Sequence, residues 1–378
     1  MTPRPRLRDL GITPGHHPPG PLNAITDVPG LTVGHATVLR DAPATARTGI
    51  TVILPRGRDS WANRCFAASH TFNGNGEMTG LHYLHETGIF GGPFAITNTY
   101  ELGMVRDALI RYMFDRGLPN AGGNDLPVVA ETWDGWLSDL SVPHLTPADV
   151  YAALDSAAPG RVPEGSVGGG TGMICHEFKG GIGTASRLVT TKSGTYTLGA
   201  LVQANQGGRA ELRLDGFPIG RHIPTSEVPT VWGEEFASSS SIIVVLATDA
   251  PLLPVQCRRL AQRATVGVAQ VGSYGHDASG EIFFAFSTAT PIPATAAAAA
   301  SLAGSSPPAN SQSKGVGSLT PLLMLPNEHI NPLLDAAAEA TAEAIWNCLL
   351  AAETMTGLEG HTVYGIPIER VKELSRRS

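Results

Sequence analysis

The stretch EEFASSSSIIVVLATDAP, residues 234–251, sets four consecutive serines against an unbroken apolar, largely β-branched run. A serine hydroxyl becomes a nucleophile only when a base, and usually a third group that orients the base, stands within hydrogen-bond reach. Serine runs are also common in turns and linkers, where the hydroxyls only satisfy nearby backbone. On these eighteen residues alone both readings stay open, and the elements on either side must decide.

IIVVLAT (242–248) has no polar face, the pattern of a central strand covered on both sides. APLLPVQCRRLAQRATVGVAQ reads as a helix after it, and EIFFAFST (281–288) as a second strand. A strand of about seven residues rises roughly 23 Å. A helix of about 15–20 residues runs roughly 23–30 Å, enough to return along it. If the second strand lies parallel to the first in one sheet, the crossover brings both strand starts to the same edge. Ser241 then neighbours Ser279 and Glu281, a hydroxyl with a second hydroxyl and a carboxylate in reach.

Other segments offer weaker chemistry. SVGGGTGM (166–173) lacks the Lys-Ser/Thr of a phosphate loop, and GNGEMTG (74–80) misses the dinucleotide spacing, so both read as close-packed turns. His82 and His85 in HYLHE are three apart without the HExxH pattern or a further ligand cluster, so no metal site is expected. Four scattered cysteines, Cys65, Cys175, Cys257 and Cys348, form no CxxC and read as reduced thiols in a cytoplasmic protein.

The rest of the chain gives the frame. It has 378 residues, 42% hydrophobic and 16% charged, with a net charge of −7. That supports a sizeable core and excludes a disordered chain or a basic nucleic-acid binder. Basic residues concentrate only at the ends, Arg4 to Arg8 and Arg370 to Arg377, and no apolar run is long enough to span a bilayer. The arginines of MTPRPRLRDLGITPGHHPPG precede no apolar signal core, so the first twenty residues read as an extended arm. Helical periodicity marks 103–117, and Thr146, Pro147 and Asp149 form a helix start signal before 146–157. TYTLGALVQ reads as a half-buried strand and Asn331 to Thr354 as a long amphipathic helix. Residues 291–317 are Ala-, Ser- and Pro-rich and read as a low-complexity loop. No internal repeat or clean linker divides the chain, so one domain over 1–378 is expected.

Several blocks, in order, resemble the L-aminopeptidase/D-Ala-esterase/amidase family, which includes the β-peptidyl aminopeptidases. They are LNAITDVPGLTVGH, NGNGEMTGLH, LPVVAETWDG, VGGGTGMICHEFKGGIGTASR, LVQANQG, SIIVVLATDAPL, SGEIFFAFST and AAETMTG with VYGIP, spanning about Leu22 to Ile368. The resemblance implies an α/β fold, a four-layer α-β-β-α sandwich of the N-terminal-nucleophile type, shared with the ornithine acetyltransferases. It implies self-cleavage between Ser240 and Ser241 into chains 1–240 and 241–378, with Ser241 as the nucleophile. Ser279 and Glu281 would orient it and pass protons, Asn205 would stabilise the oxyanion, and Glu131 would bind the ammonium group of the substrate. The substrates implied are short peptides, amides or esters, including those with D- or β-residues. Neither metal nor cofactor is implied, and the expected assembly is a homo-oligomer of processed pairs.

Three positions depart from the family's pattern. Ser240 stands where Gly or Asn is expected, and Trp133 where relatives carry Tyr or Leu, which would reshape the substrate pocket. The 291–317 segment is longer than the family's connection there. Two other readings remain: an acyltransferase like the ornithine acetyltransferases, which use threonine, and an uncut, silent scaffold.

Overall fold

The computed structural model describes residues 4–123, 125–230, 241–294 and 322–376. Ser240 and nearly all of the 291–317 segment therefore lie outside the described residues. In chain order the strands are β1 (Thr32–Arg40), β2 (Ala46–Arg58), β3 (Asn63–Gly74), β4 (Ile89–Phe90), β5 (Phe94–Asn98), β6 (Val128–Thr132), β7 (Ile174–Cys175), β8 (Phe178–Lys179), β9 (Gly181–Thr191), β10 (Gly194–Asn205), β11 (Ser241–Thr248) and β12 (Gly280–Pro293). A small hairpin, β13 (Met355–Thr356) and β14 (Thr362–Val363), follows near the end. The helices are α1 (Leu81–Thr87), α2 (Leu102–Asp115), α3 (Pro147–Asp155), α4 (Pro254–Val271), α5 (Asn331–Ala351) and α6 (Ile368–Ser375).

Two sheets carry the architecture. One has four strands in the order β1-β2-β5-β6, the other six in the order β4-β3-β12-β11-β10-β9. Strand alternation gives each sheet two apolar faces. In β11, Ile242, Val244 and Leu246 join Leu260, Ala264, Val268, Leu333 and Leu349 of α4 and α5. Ile243, Val245 and Ala247, one step out of phase, meet Ile53, Phe94, Ile96 and Ala130 of the opposite sheet. On the far side, Ile50, Val52, Ala95 and Val129 pack against Val105, Leu109, Val150 and Leu154 of α2 and α3. The result is the expected α-β-β-α sandwich, and β11 is the strand that its two-faced apolar run foretells.

The local start signals hold. Thr146 caps α3, with Asp149 Oδ2 accepting from the Thr146 amide at 2.8 Å. The Gly-rich 166–173 stretch is a buried close-packed turn: a Cβ built on Gly169 would stand 2.5 Å from the Ile96 carbonyl oxygen.

The N-terminal arm is pinned, not free. Leu7 is fully buried in a short 3-10 turn, and the Arg4 guanidinium donates to the carbonyls of Leu350 and Ile366 at 2.6 and 3.0 Å. Arg8 pairs with Glu343 at 2.8 Å, and buried Arg187 of β9 bridges Glu339 at 3.0 Å and Glu343 at 2.8 Å. The arginines of the arm thus complete buried charge pairs that the sequence pattern left as loose basic residues.

Candidate active site

Strand register builds the centre. Ser241 is the first residue of β11 and lies opposite Asn205, the last residue of β10, on its antiparallel side. On its parallel side it lies opposite Gly280, the first residue of β12. The crossover through α4 therefore does what the strand–helix–strand pattern requires: Ser241, Asn205 and the Ser279–Glu281 pair share one edge of the six-stranded sheet.

Ser241 Oγ accepts a hydrogen bond from the Gly280 amide at 3.2 Å. The Ser279 hydroxyl donates to Glu281 Oε1, and both side chains are fully buried. Glu281 Oε2 takes no hydrogen bond among the described residues. Burial lifts the Glu281 carboxyl above the ordinary range, and the Ser279 hydroxyl opposes the rise.

Asn205 is almost fully buried and its amide orientation is determined on both ends. Oδ1 accepts from the Ile174 amide at 2.7 Å, and Nδ2 donates to the Trp133 carbonyl at 3.1 Å. An amide NH₂ carries two hydrogens. One is committed to Trp133, which leaves the second for another acceptor. Trp133 contributes through its backbone, whereas its indole lies over Gly135, where a Cβ would come within 2.5 Å of the ring. The backbone carbonyl of Trp133 is a contact that the side-chain chemistry of the sequence does not single out.

Glu131 comes from the other sheet, near the end of β6, and is buried. Oε1 accepts from the Glu77 amide at 2.8 Å, and the Thr99 hydroxyl donates to Oε2. Burial raises this carboxyl too, while Thr99 and the Glu77 amide hold it back. The loop after β3 links the halves: a Cβ on Gly76 would stand 3.1 Å from Glu131 Oε1 and 3.6 Å from Gly280 Cα. A side chain at Gly76 would press on the Glu131 carboxylate and make it give by a few tenths of an ångström. Gly76 and Gly280 lie in blocks quoted above, NGNGEMTGLH and SGEIFFAFST, but act through backbone that a motif does not single out; Thr99 lies in none of them.

Ligand-type side chains group elsewhere. Donor atoms of His16, His17 and Glu339 lie within 4.8 Å of one another. Glu339 there already accepts from the amides of His16 and His17 and pairs with Arg187, so its lone pairs serve to anchor the arm. His85 Nε2 is bonded to the Ser69 hydroxyl at 2.8 Å, in keeping with a structural histidine.

A two-layered core of facing sheets with a serine at the start of a central strand is the arrangement of an N-terminal-nucleophile-type hydrolase. Residues 23–363 match peptidase family S58, and the chain belongs to that family. It is similar over 99% of its length to a β-peptidyl aminopeptidase, BapA, of Sphingosinicella microcystinivorans, at 42% identity and 92% of that protein's length. A Burkholderia β-aminopeptidase structure superposes with a TM-score of 0.86 at 45% identity, covering 99% of each chain. The L-aminopeptidase D-Ala-esterase/amidase of Ochrobactrum anthropi, described as a variant of the Ntn hydrolase fold, gives 0.86 at 41% identity, again over 99% of each. The chain is thus a serine aminopeptidase of the Ntn-type hydrolase fold, as the sequence blocks implied. Among the described residues no helix is long and apolar enough to cross a membrane.

Proposed function

We propose that this chain cuts itself between Ser240 and Ser241, and that the freed Ser241 is the nucleophile of the mature aminopeptidase. The observation that carries the reading is the register of β11. It sets Ser241 between a buried amide donor, Asn205, and a buried hydroxyl–carboxylate pair, Ser279 and Glu281.

In maturation, Ser241 Oγ attacks the Ser240 carbonyl carbon. The C–N bond breaks, the nitrogen takes the hydroxyl proton, and an ester links Ser240 to Ser241. Water cleaves that ester, leaving a carboxylate on Ser240 and a free serine at the new N-terminus. Its α-amine, with an ordinary pKa of about 7.7–8.0, can then take the hydroxyl proton directly or through Ser279 and Glu281. In turnover the hydroxyl adds to the substrate carbonyl and Asn205 Nδ2 donates to the oxyanion. The leaving amine departs with the proton, and water hydrolyses the acyl-serine.

Glu131 supplies the counter-charge that an N-terminal ammonium needs on leaving water. Short peptides, amides and esters fit such a centre. The β-peptide names of the relatives make N-terminal β-residues the first substrates to try. A homo-oligomer of processed pairs and a cytoplasmic setting complete the proposal; the four buried free cysteines suit a reducing compartment.

Intact mass under denaturing conditions tests it, for wild type and Ser241→Ala. Fragments of 1–240 and 241–378 in wild type, with one uncut chain in the variant, are expected. An uncut wild-type chain after prolonged incubation overturns self-processing and brings the silent scaffold forward.

A further inference from the structure

The hairpin of β7 and β8, which adjoins Asn205, carries two costs. Its turn residues, His176 and Glu177, both adopt left-handed backbone, with φ of 49° and 62°, although neither is glycine. A two-residue hairpin turn requires that backbone at both positions, and non-glycine residues adopt it under strain. The turn is held by the His176 amide on the Gln206 carbonyl at 2.7 Å and by the His176 ring on the Gly208 carbonyl at 3.0 Å. Immediately after it, Lys179 is fully buried with no carboxylate bonded to it among the described residues. Its ammonium donates instead to three backbone carbonyls: Gly180 at 2.8 Å, Met173 at 2.9 Å and Gly170 at 3.4 Å.

The Met173 carbonyl belongs to the same peptide unit as the Ile174 amide, and that amide is the donor that holds Asn205 Oδ1. The carbonyl also accepts from the Gly180 amide at 2.8 Å. A cation and an N–H on one end of a peptide fix its plane and polarise it, so the N–H at the other end becomes a stronger donor. Both ends of this peptide are therefore committed along one line, from Lys179 through Met173–Ile174 to the Asn205 amide.

We propose that Lys179 is a positioning residue for the oxyanion donor, acting on Asn205 through the Met173–Ile174 peptide. It rests on the reading of Asn205 as that donor. Burial pulls the Lys179 ammonium down to about 7, while Cys348, Cys175 and Asp134 pull the other way. An apolar side chain of similar length would fill the space but take a donor from all three carbonyls, so the Met173–Ile174 peptide would lose one of the two groups that fix it.

The test is a double-mutant cycle on the full chain with Lys179→Met, Asn205→Ala and the pair. Rates are taken per processed chain as counted by intact mass, on amino-acid p-nitroanilides, with thermal unfolding recorded for each variant. Lys179→Met is expected to lower kcat roughly 10- to 100-fold with KM within about 3-fold, a fraction of the direct loss of a donor. In the Asn205→Ala background the same change should cost less than about 2-fold, because the residue it acts through is gone. Equal factors in both backgrounds, or a raised KM at unchanged kcat, overturn the proposal. If Lys179→Met does not fold, Lys179→Gln, which keeps an N–H donor, takes its place in the cycle with the same criteria. A near-normal kcat for Asn205→Ala alone would instead refute the reading of Asn205.

Discussion

The two sheets meet at the site by different means. On the six-stranded sheet, Asn205, Ser241 and Gly280 are held by the ladders of three adjacent strands, so their relative positions are set by backbone hydrogen bonds that no single side chain controls. On the four-stranded sheet, Glu131 is aimed by one hydroxyl and one loop amide, Thr99 and Glu77, with Gly76 threading between the halves. A register-built cluster suits chemistry, where a small misplacement of reacting atoms is costly. A side-chain-built anchor suits recognition, where the partner can vary and the anchor can adjust. The contrast predicts that changes on the first sheet act on kcat, and changes on the second act on KM.

The largest effect is expected of Ser241→Ala, which removes both reactions: no fragments by intact mass and no aminopeptidase turnover. Asn205→Ala should lower kcat about 10²- to 10³-fold with KM little changed, read by steady-state kinetics on the processed enzyme. Glu131→Gln should raise KM roughly 10- to 100-fold for substrates with a free amine, the range for losing a charged hydrogen-bond partner. It should act little on an N-acylated ester, which carries no ammonium. If Glu131→Gln instead lowers kcat at constant KM, the division between the sheets is broken. Thr99→Val sharpens it further, since it leaves the carboxylate in place but frees its orientation: KM should rise only a few-fold, because the counter-charge itself remains.

The smallest effect concerns stability beside the site. Asp134 is fully buried, and burial pushes its carboxyl up to about 7 from 3.8, with Thr48 and Asn98 opposing the rise. A raised carboxyl binds its proton more tightly folded than unfolded. Its contribution to stability is therefore full below about 4 and lost as pH climbs to about 7. Asp134→Asn should flatten that limb, with a melting temperature a few degrees above wild type at pH 8 and no such gain at pH 4.

Much of this molecule was legible before any coordinates. IIVVLAT has no polar face, so it had to lie between two layers, and it does. The Thr146-Pro147-Asp149 signal marks a helix start because it satisfies amides that the first turn leaves bare. The placement of Ser241 beside Ser279 and Glu281 followed from one strand, one helix and one strand of matching length. The resemblance of ordered blocks then supplied Asn205 and Glu131 as candidates. What it did not supply was their support: the indole of Trp133 drew attention, whereas its carbonyl does the holding.

Sequence by itself determined the elements and the two-faced central strand, because hydrophobic period is a local property, and its ordered blocks supplied the candidate site residues. Only the tertiary structure decided that Glu131 of one sheet and Gly280 of the other close on the same loop residue, Gly76. It alone revealed that Arg4, Arg6 and Arg8 tie down an arm, and that Lys179 braces the peptide behind Asn205. Several of those contacts, such as Arg4 on the Leu350 carbonyl and Lys179 on the Met173 carbonyl, end on backbone groups. Every residue has such groups, so no pattern of side chains announces which of them will meet.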